Sequence, residues 1–293
     1  MAPVLSDEDL RFFSENGYVI AKGVIDAAQC ACTAQEVWDF AELEPDDDAG
    51  WASHPKAGWG GGMYHGDAQW ENRTAPRVHQ AFSQIWGTPR LWTTHDGTNL
   101  NLPVGDPAAP EGPLHWDCDM RLWSLAEAKA QRPIVGGVQG VLYLVDTPAA
   151  NGAFVCIPGF HRRLDDWLDT LPQRQGADEI DMRSVMNDEV CPFFTAFLPH
   201  FGRNLVISPL YTVRFACDVQ FRGSPELTRV EASAGDLVIW DTRLPHGRGV
   251  NRGDSPRVSQ YISMMPAPAD PAARRPRVRV HAVFNAVFKQ HLC

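Results

Sequence analysis

From Leu91 onward the chain is a succession of short β-like runs broken by Gly, Pro and Asn: "LWTTHDGTNLNLP", "GVQGVLYLVD", "AFVCIPG", "LTRVEAS", "DLVIW" and "RVSQYISMMP". Runs this short cannot each bury a core alone. At this spacing they predict a β-sandwich or barrel, in which two faces cover one another. The 293 residues suffice for one large core, and the 44% hydrophobic and 21% charged content is that of a globular protein. Ten Trp in a chain that is 10% aromatic suit either an aromatic-lined pocket or the filling of a wide sandwich.

Upstream, "LSDEDLRFFSENGYVIAKGVID" reads as helix, stop and strand. Ser6 and Asp9 form a capping box, Leu5 and Leu10 a staple, and Gly17 ends the helix before an extended Tyr18–Ile20. "DAAQCACTAQEVWDFAEL" predicts a second helix. "HPKAGWGGGMYHGDAQW" (54–70) is too rich in glycine for the interior of any regular element, so a long loop, serving as a lid, is expected. The sequence divides as one domain, 1–293: N-terminal helices and lid loop (1–90), β core (91–161 and 226–265), an insertion (162–225) and a C-terminal extension (266–293).

A net charge of −10 disfavours nucleic acid and anionic membranes, which demand basic patches. No apolar run approaches the roughly eighteen residues of a membrane helix, and the N-terminus lacks the order of a signal peptide. The seven Cys are scattered without a CxxC, which suits reduced thiols and a cytoplasmic setting. A lid rich in Trp59, Tyr64 and Trp70 suits a small or mid-sized metabolite as partner rather than a macromolecule, with the oligomeric state left open.

The chemistry centres on "LHWDCDM", residues 114–120. On a strand, His115 and Asp117 project to one face while Trp116 packs behind. A half-buried carboxylate beside an imidazole is either a structural hydrogen bond or two-thirds of a metal site. "GDLVIWDTRLPHG" supplies the third group: an apolar strand followed by a polar turn that presents His246 at its end. Two His and one Asp make the facial triad that leaves coordination positions open on iron(II). Eleven residues further on, Arg257 and Ser259 alternate on one strand face and suit a carboxylate clamp, as for a dicarboxylate whose other end chelates the metal.

In order along the chain, "LSDEDLRFFSENGYVIAKGVID", "HWD", "LVDTPAANGAFVCIPGFHR", "GDLVIWDTRLPHG" and the Arg-x-Ser strand resemble the phytanoyl-CoA dioxygenase family of iron(II)/2-oxoglutarate-dependent oxygenases. HxD alone is weak; the ordered combination is specific. The resemblance implies a mostly β fold with flanking helices and a double-stranded β-helix (jelly-roll, cupin-like) core. It implies His115, Asp117 and His246 as ligands of Fe(II), with 2-oxoglutarate and O2 as co-substrates. Arg257 and Ser259 would hold the distal carboxylate of 2-oxoglutarate, assisted by Asn99 and Asn101. Halogenases of the family replace the acidic ligand with a small residue, so Asp117 disfavours halogenation.

A second HxD, His65-Gly66-Asp67, lies in the glycine-rich loop without an apolar strand and reads as pocket lining. Trp59, Tyr64, His65 and Trp116 are the substrate-pocket candidates, although Trp116, like Trp240, is also accounted for as core. His161 suits a structural hydrogen bond, and Asp119 and Asp241 either support the triad or are solvated. A cupin-like metalloenzyme without 2-oxoglutarate would not need Arg257. A non-catalytic jelly-roll binding module would not need an intact triad.

Overall fold

The computed structural model describes residues 2–53, 63–112, 114–171, 182 and 226–268. Its helices are α1 (Asp7–Asn16), α2 (Ala27–Ala41), α3 (Asp48–Ser53), α4 (Asp67–Thr74), α5 (Pro76–Trp86), α6 (Leu125–Ala130) and α7 (Leu164–Thr170). Its strands are β1 (Tyr18–Ala21), β2 (Leu91–Thr93), β3 (Thr98–Asn101), β4 (Val138–Tyr143), β5 (Phe154–Cys156), β6 (Thr228–Val230), β7 (Leu237–Asp241), β8 (His246–Arg248) and β9 (Arg257–Pro266).

Local signals explain the first elements. Ser6 and Asp9 close a capping box on α1, and Gly17 stops it in the left-handed region at φ 77°. Asp26 caps α2 through the Gln29 amide. Two antiparallel sheets then face each other. The larger runs β1-β7-β4-β9-β2, with β3 also paired to β9; the smaller runs β6-β5-β8.

Alternation divides the apolar residues of the large sheet. Val141, Tyr143, Val238 and Trp240 turn inward and join Phe154, Cys156 and Val230 of the small sheet in one buried cluster. Leu142, Leu237, Ile239, Val258 and Ile262 turn outward, where Val37 and Trp38 of α2 and Val78, Ala81 and Phe82 of α5 cover them. Helices thus shield one face of the large sheet, and the other faces the jelly-roll interior.

The helix layer also meets the sheet through amides. Gln260 on the outer face of β9 accepts from Asn72 Nδ2 at 2.8 Å and donates to the Gln69 carbonyl at 3.0 Å. Asn72 Nδ2 reaches Thr33 Oγ1 as well, and Gln29 Nε2 donates to Asn72 Oδ1. Gln69, Asn72 and Gln260 are fully buried, so this network ties α2, α4 and β9 into one block.

Two expectations shift and a third is extended. The glycine-rich loop ends at Gly66, because Asp67–Trp70 is the first turn of α4; residues 54–62, including Trp59, lie outside the described residues. The segment read as an insertion begins with α7, yet Trp167 and Leu168 are buried in the interior cluster with Met182. Most of its remainder, like 269–293, lies outside the described residues. Finally, the polar turn after β7 does present His246 at its end, and there His246 opens a further strand, β8, registered against Cys156.

Candidate metal centre

His115, Asp117 and His246 come together: their ligand atoms all lie within 4.8 Å of one another, the only such group of three among the described residues. Asp117 Oδ2 is 3.8 Å from His115 Nε2 and 3.7 Å from His246 Nε2. The His115-Trp116-Asp117 stretch is not a regular strand. It is held as one by an isolated bridge between His115 and His246 and by the Asp117 amide donating to the Thr242 carbonyl at 3.2 Å.

The turn that carries His246 is fixed from within. Asp241 takes a bidentate pair from Arg243 at 2.9 and 2.6 Å, and its amide donates to the Gly17 carbonyl. Asp241 is therefore structural, and Asp119 is exposed. His246 Nδ1 lies 2.9 Å from the Leu244 carbonyl, which requires a proton on Nδ1 and leaves the Nε2 lone pair for a metal. The Trp240 and Phe154 rings flank this imidazole at 5.1 and 5.8 Å between centroids. His246 is 3% exposed, whereas His115 and Asp117 are reached by solvent, so the site is walled on one side and open on the other.

Trp116 corrects one expectation. It is 1% exposed and packs on Phe160 and Trp167, with centroids at 5.9 and 5.3 Å. Alternation sends it away from His115 and Asp117, so it is core rather than pocket. Burial pushes the nearby Cys118 thiol up to about 12, consistent with an apolar filler.

Arg257 lies on the interior face of β9, 1% exposed. Its Nη1 donates to the Gly152 carbonyl at 2.7 Å and its Nη2 to Ser259 Oγ at 3.2 Å. Its Nε is buried with no partner among the described residues. β3 runs antiparallel beside it with Asn99 opposite Ser259 and Asn101 opposite Arg257, so all four share the interior face. Asn101 Nδ2 is spent on the Gly249 carbonyl at 3.0 Å, whereas Asn99 Oδ1 is buried with no partner among the described residues. The Tyr143 ring lies 5.4 Å from the Arg257 guanidinium. Burial raises the Tyr143 phenol above its ordinary value, with Arg257 pulling the other way.

Orphaned buried polar atoms are costly unless a ligand completes them. A buried guanidinium on the same interior as a His-Asp-His triad fits a metal-chelating dicarboxylate. The donor set itself, two neutral imidazoles and one carboxylate with an open side, fits iron(II).

Tyr64 and His65 sit beside the start of β3. Both are exposed. His65 contacts the rings of Trp70 and His95, at 6.2 and 5.2 Å between centroids, and an added Cβ on Gly97 would lie 3.2 Å from the Tyr64 ring. The Met63 carbonyl accepts from the Thr98 amide and from Gln69 Nε2, both at 3.1 Å, which pins this segment to the start of β3. His161 takes a structural role: its Nε2 donates to the Ser14 carbonyl at 3.1 Å.

Sequence reasoning missed Glu111. Buried ahead of His115, it accepts from the Val250 amide at 2.7 Å and from Arg252 at 3.2 Å and pairs with Arg229. This joins the chain leading into the triad to the segment following β8. An acid four residues before HxD carries no local signal, because its partners come from the far end of the chain.

The family model for phytanoyl-CoA dioxygenase matches residues 13–259. Ava biosynthesis cluster protein O of Aspergillus versicolor is 24% identical over 265 residues, covering 87% of this chain and 76% of that protein. A putative phytanoyl-CoA dioxygenase of Dictyostelium discoideum is 22% identical, covering 87% and 74%. Among solved structures, EvdO2 from Micromonospora carbonacea var. aurantiaca superposes with a TM-score of 0.53 at 18% identity, covering 94% of this chain and 97% of that one. The non-haem alpha-ketoglutarate-dependent carbocyclase SnoK from nogalamycin biosynthesis gives 0.51 at 18%, covering 90% and 85%. These likenesses establish the jelly-roll fold. Matched by the family model across most of its length, the chain belongs to the phytanoyl-CoA dioxygenase family of non-haem iron(II)/2-oxoglutarate-dependent oxygenases.

Proposed function

We propose that this protein oxidises a C–H bond of a small or mid-sized metabolite, by hydroxylation in the first instance, with release of succinate and CO2. Desaturation and ring closure are variants of the same chemistry, set by where the substrate carbon sits relative to the metal. The observation that carries this reading is the conjunction of the His115, Asp117 and His246 cluster with the buried Arg257 on one interior.

Bound iron, with 2-oxoglutarate and O2, would supply the oxidising power. The chain's own part is positional. His115, Asp117 and His246 would hold the ion from one side and leave the other to co-substrate and oxygen. Arg257 and Ser259 would take the distal carboxylate of 2-oxoglutarate, and Asn99 Oδ1 would accept a hydrogen bond from a bound group or a water. The Leu244 carbonyl keeps His246 in the tautomer that ligates. Tyr64 and His65, with Trp59 as a further candidate, would border the entrance and help exclude water once substrate is seated.

A biosynthetic role is supported by similar proteins: SnoK comes from nogalamycin biosynthesis, and HygX from Streptomyces hygroscopicus was solved with nickel, 2-oxoglutarate and hygromycin B bound. The intact Asp117 argues against halogenation. The test is succinate release by the iron-loaded protein across a metabolite panel, with product mass. A compound that stimulates succinate release and gains the mass of one oxygen, or loses two hydrogens, is the expected result. Turnover of a panel member without consumption of 2-oxoglutarate would count against the reading.

A further inference from the structure

The buried carboxylate of Glu111 has no part in the chemistry proposed above. It precedes His115 by four residues, and the stretch between them leads past β8. The His115–His246 bridge is antiparallel, so four residues back from His115 and four on from His246 the same register sets Glu111 against Val250. There the Val250 amide donates to Glu111 Oε1 at 2.7 Å. A side-chain carboxylate thus takes the place of a main-chain carbonyl in the ladder. The two runs stay close between these points: a Cβ added to Gly112 would lie 3.4 Å from the Arg248 carbonyl.

The other carboxylate oxygen is engaged as well. Oε2 pairs with Arg229 and accepts from Arg252 Nη1 at 3.2 Å, while Arg252 Nε donates to the Ala109 carbonyl at 2.8 Å. Arg229 is exposed and alternates on β6 with Val230, which is buried in the interior cluster, so Arg229 stands on the outside of the small sheet. Glu111 meets it there, away from the interior that holds the triad. A carboxylate 4% exposed with both oxygens paired is a fixed point on which a chain can be hung.

We propose that Glu111 is a positioning residue for the metal centre. Its bond to Val250 is the second pin, after the His115–His246 bridge, that directs the stretch carrying His115 and Asp117; this rests on the metal reading above. A chain held at one point can swivel about it. Held at two points roughly 13 Å apart at strand rise, it cannot. Without the second pin His115 and Asp117 would spread over several positions, and metal affinity would fall although no ligand atom is lost.

The experiment separates reach from charge. Glu111→Gln keeps an oxygen at the length Val250 needs and loses the charge. Glu111→Asp keeps the charge but is one methylene too short to serve Val250 and Arg229 together, and Glu111→Ala loses both. Each full-length variant is titrated with cobalt(II), whose visible bands report the geometry of its ligands, and is unfolded in urea without metal. Metal affinity is expected to follow reach, with Glu111→Gln close to wild type. Glu111→Asp and Glu111→Ala should be weaker by about tenfold, as for residues that support ligands without touching the ion, with altered cobalt bands. Stability should follow charge instead, with Glu111→Gln below Glu111→Asp. If Glu111→Ala does not fold, Glu111→Asp carries the test alone. Wild-type cobalt affinity in Glu111→Asp, or affinities that merely track stability across the series, overturns the proposal. Cobalt binding by His246→Ala equal to that of wild type overturns the metal reading itself, and this proposal with it.

Discussion

His115 and His246 exchange both of their main-chain hydrogen bonds, the amide of each donating to the carbonyl of the other at 2.8 and 2.9 Å. Two of the three proposed ligands are thus spaced by backbone pairing rather than by side-chain packing. Their rings lie 4.5 Å apart between centroids. The third, Asp117, follows two residues later in the same extended stretch, so one backbone arrangement places all three.

Because the site has three protein ligands, removing one should empty it. His246→Ala is expected to fold and to purify with a small fraction of the wild-type iron. Metal analysis after reconstitution checks this, and full iron occupancy would displace His246 from the centre.

Arg257→Leu removes a buried charge from the end of the pocket. By analogy with other buried charge pairs, co-substrate binding should weaken by about 2–5 kcal/mol. Iron content should stay unchanged, since Arg257 does not reach the triad. Anaerobic titration with 2-oxoglutarate measures the loss.

Gly152 turns at φ 77°, and a Cβ there would meet Asn101 Nδ2 at 2.2 Å. Gly152→Ala should cost about 1–3 kcal/mol of stability from backbone strain alone. It should also loosen 2-oxoglutarate, because the carbonyl of this residue anchors Arg257. Urea unfolding and the same titration read the two effects, and a variant as stable as wild type would contradict the packing described.

His161 predicts a pH effect. Burial holds its pKa below the ordinary 6.5, with Asp241 opposing and Arg243 and Arg162 reinforcing. The folded state therefore prefers the neutral ring, and the unfolded chain takes up the proton first as pH falls. Stability is unaffected above about pH 6.5, declines below it, and levels off once pH passes the folded pKa. Unfolding measured at pH 7.5 and 5.5 should show a larger acid loss in wild type than in His161→Gln.

Much of this site could be read from the chain because its signals are local. HxD puts His115 and Asp117 on one side of an extended stretch, Ser6 and Asp9 announce α1, and Arg257 and Ser259 alternate in a ten-residue strand. Other features were hidden because they arise from tertiary pairing. The three-residue β8 is too short to show a period, and it exists because Cys156 and Phe154 pair with it. α7 reads as part of an insertion, since only the packing of Trp167 on Trp116 reveals it as core. Trp116 shows the converse: alternation already sent it away from the metal, and its aromatic size was what suggested a pocket.

The amide block formed by Gln69, Asn72 and Gln260 fixes the helix layer to the sheet. α4 begins where the glycine-rich segment ends, and these buried amides lock it onto β9, the strand that carries Arg257. A polar interface with every partner specified tolerates only one alignment, unlike an apolar one that can slide. Substitution on the solvent-facing side of α4 should therefore be absorbed before it shifts β9 and Arg257. Surface variation on the helix layer could then accumulate without shifting the strand register behind it.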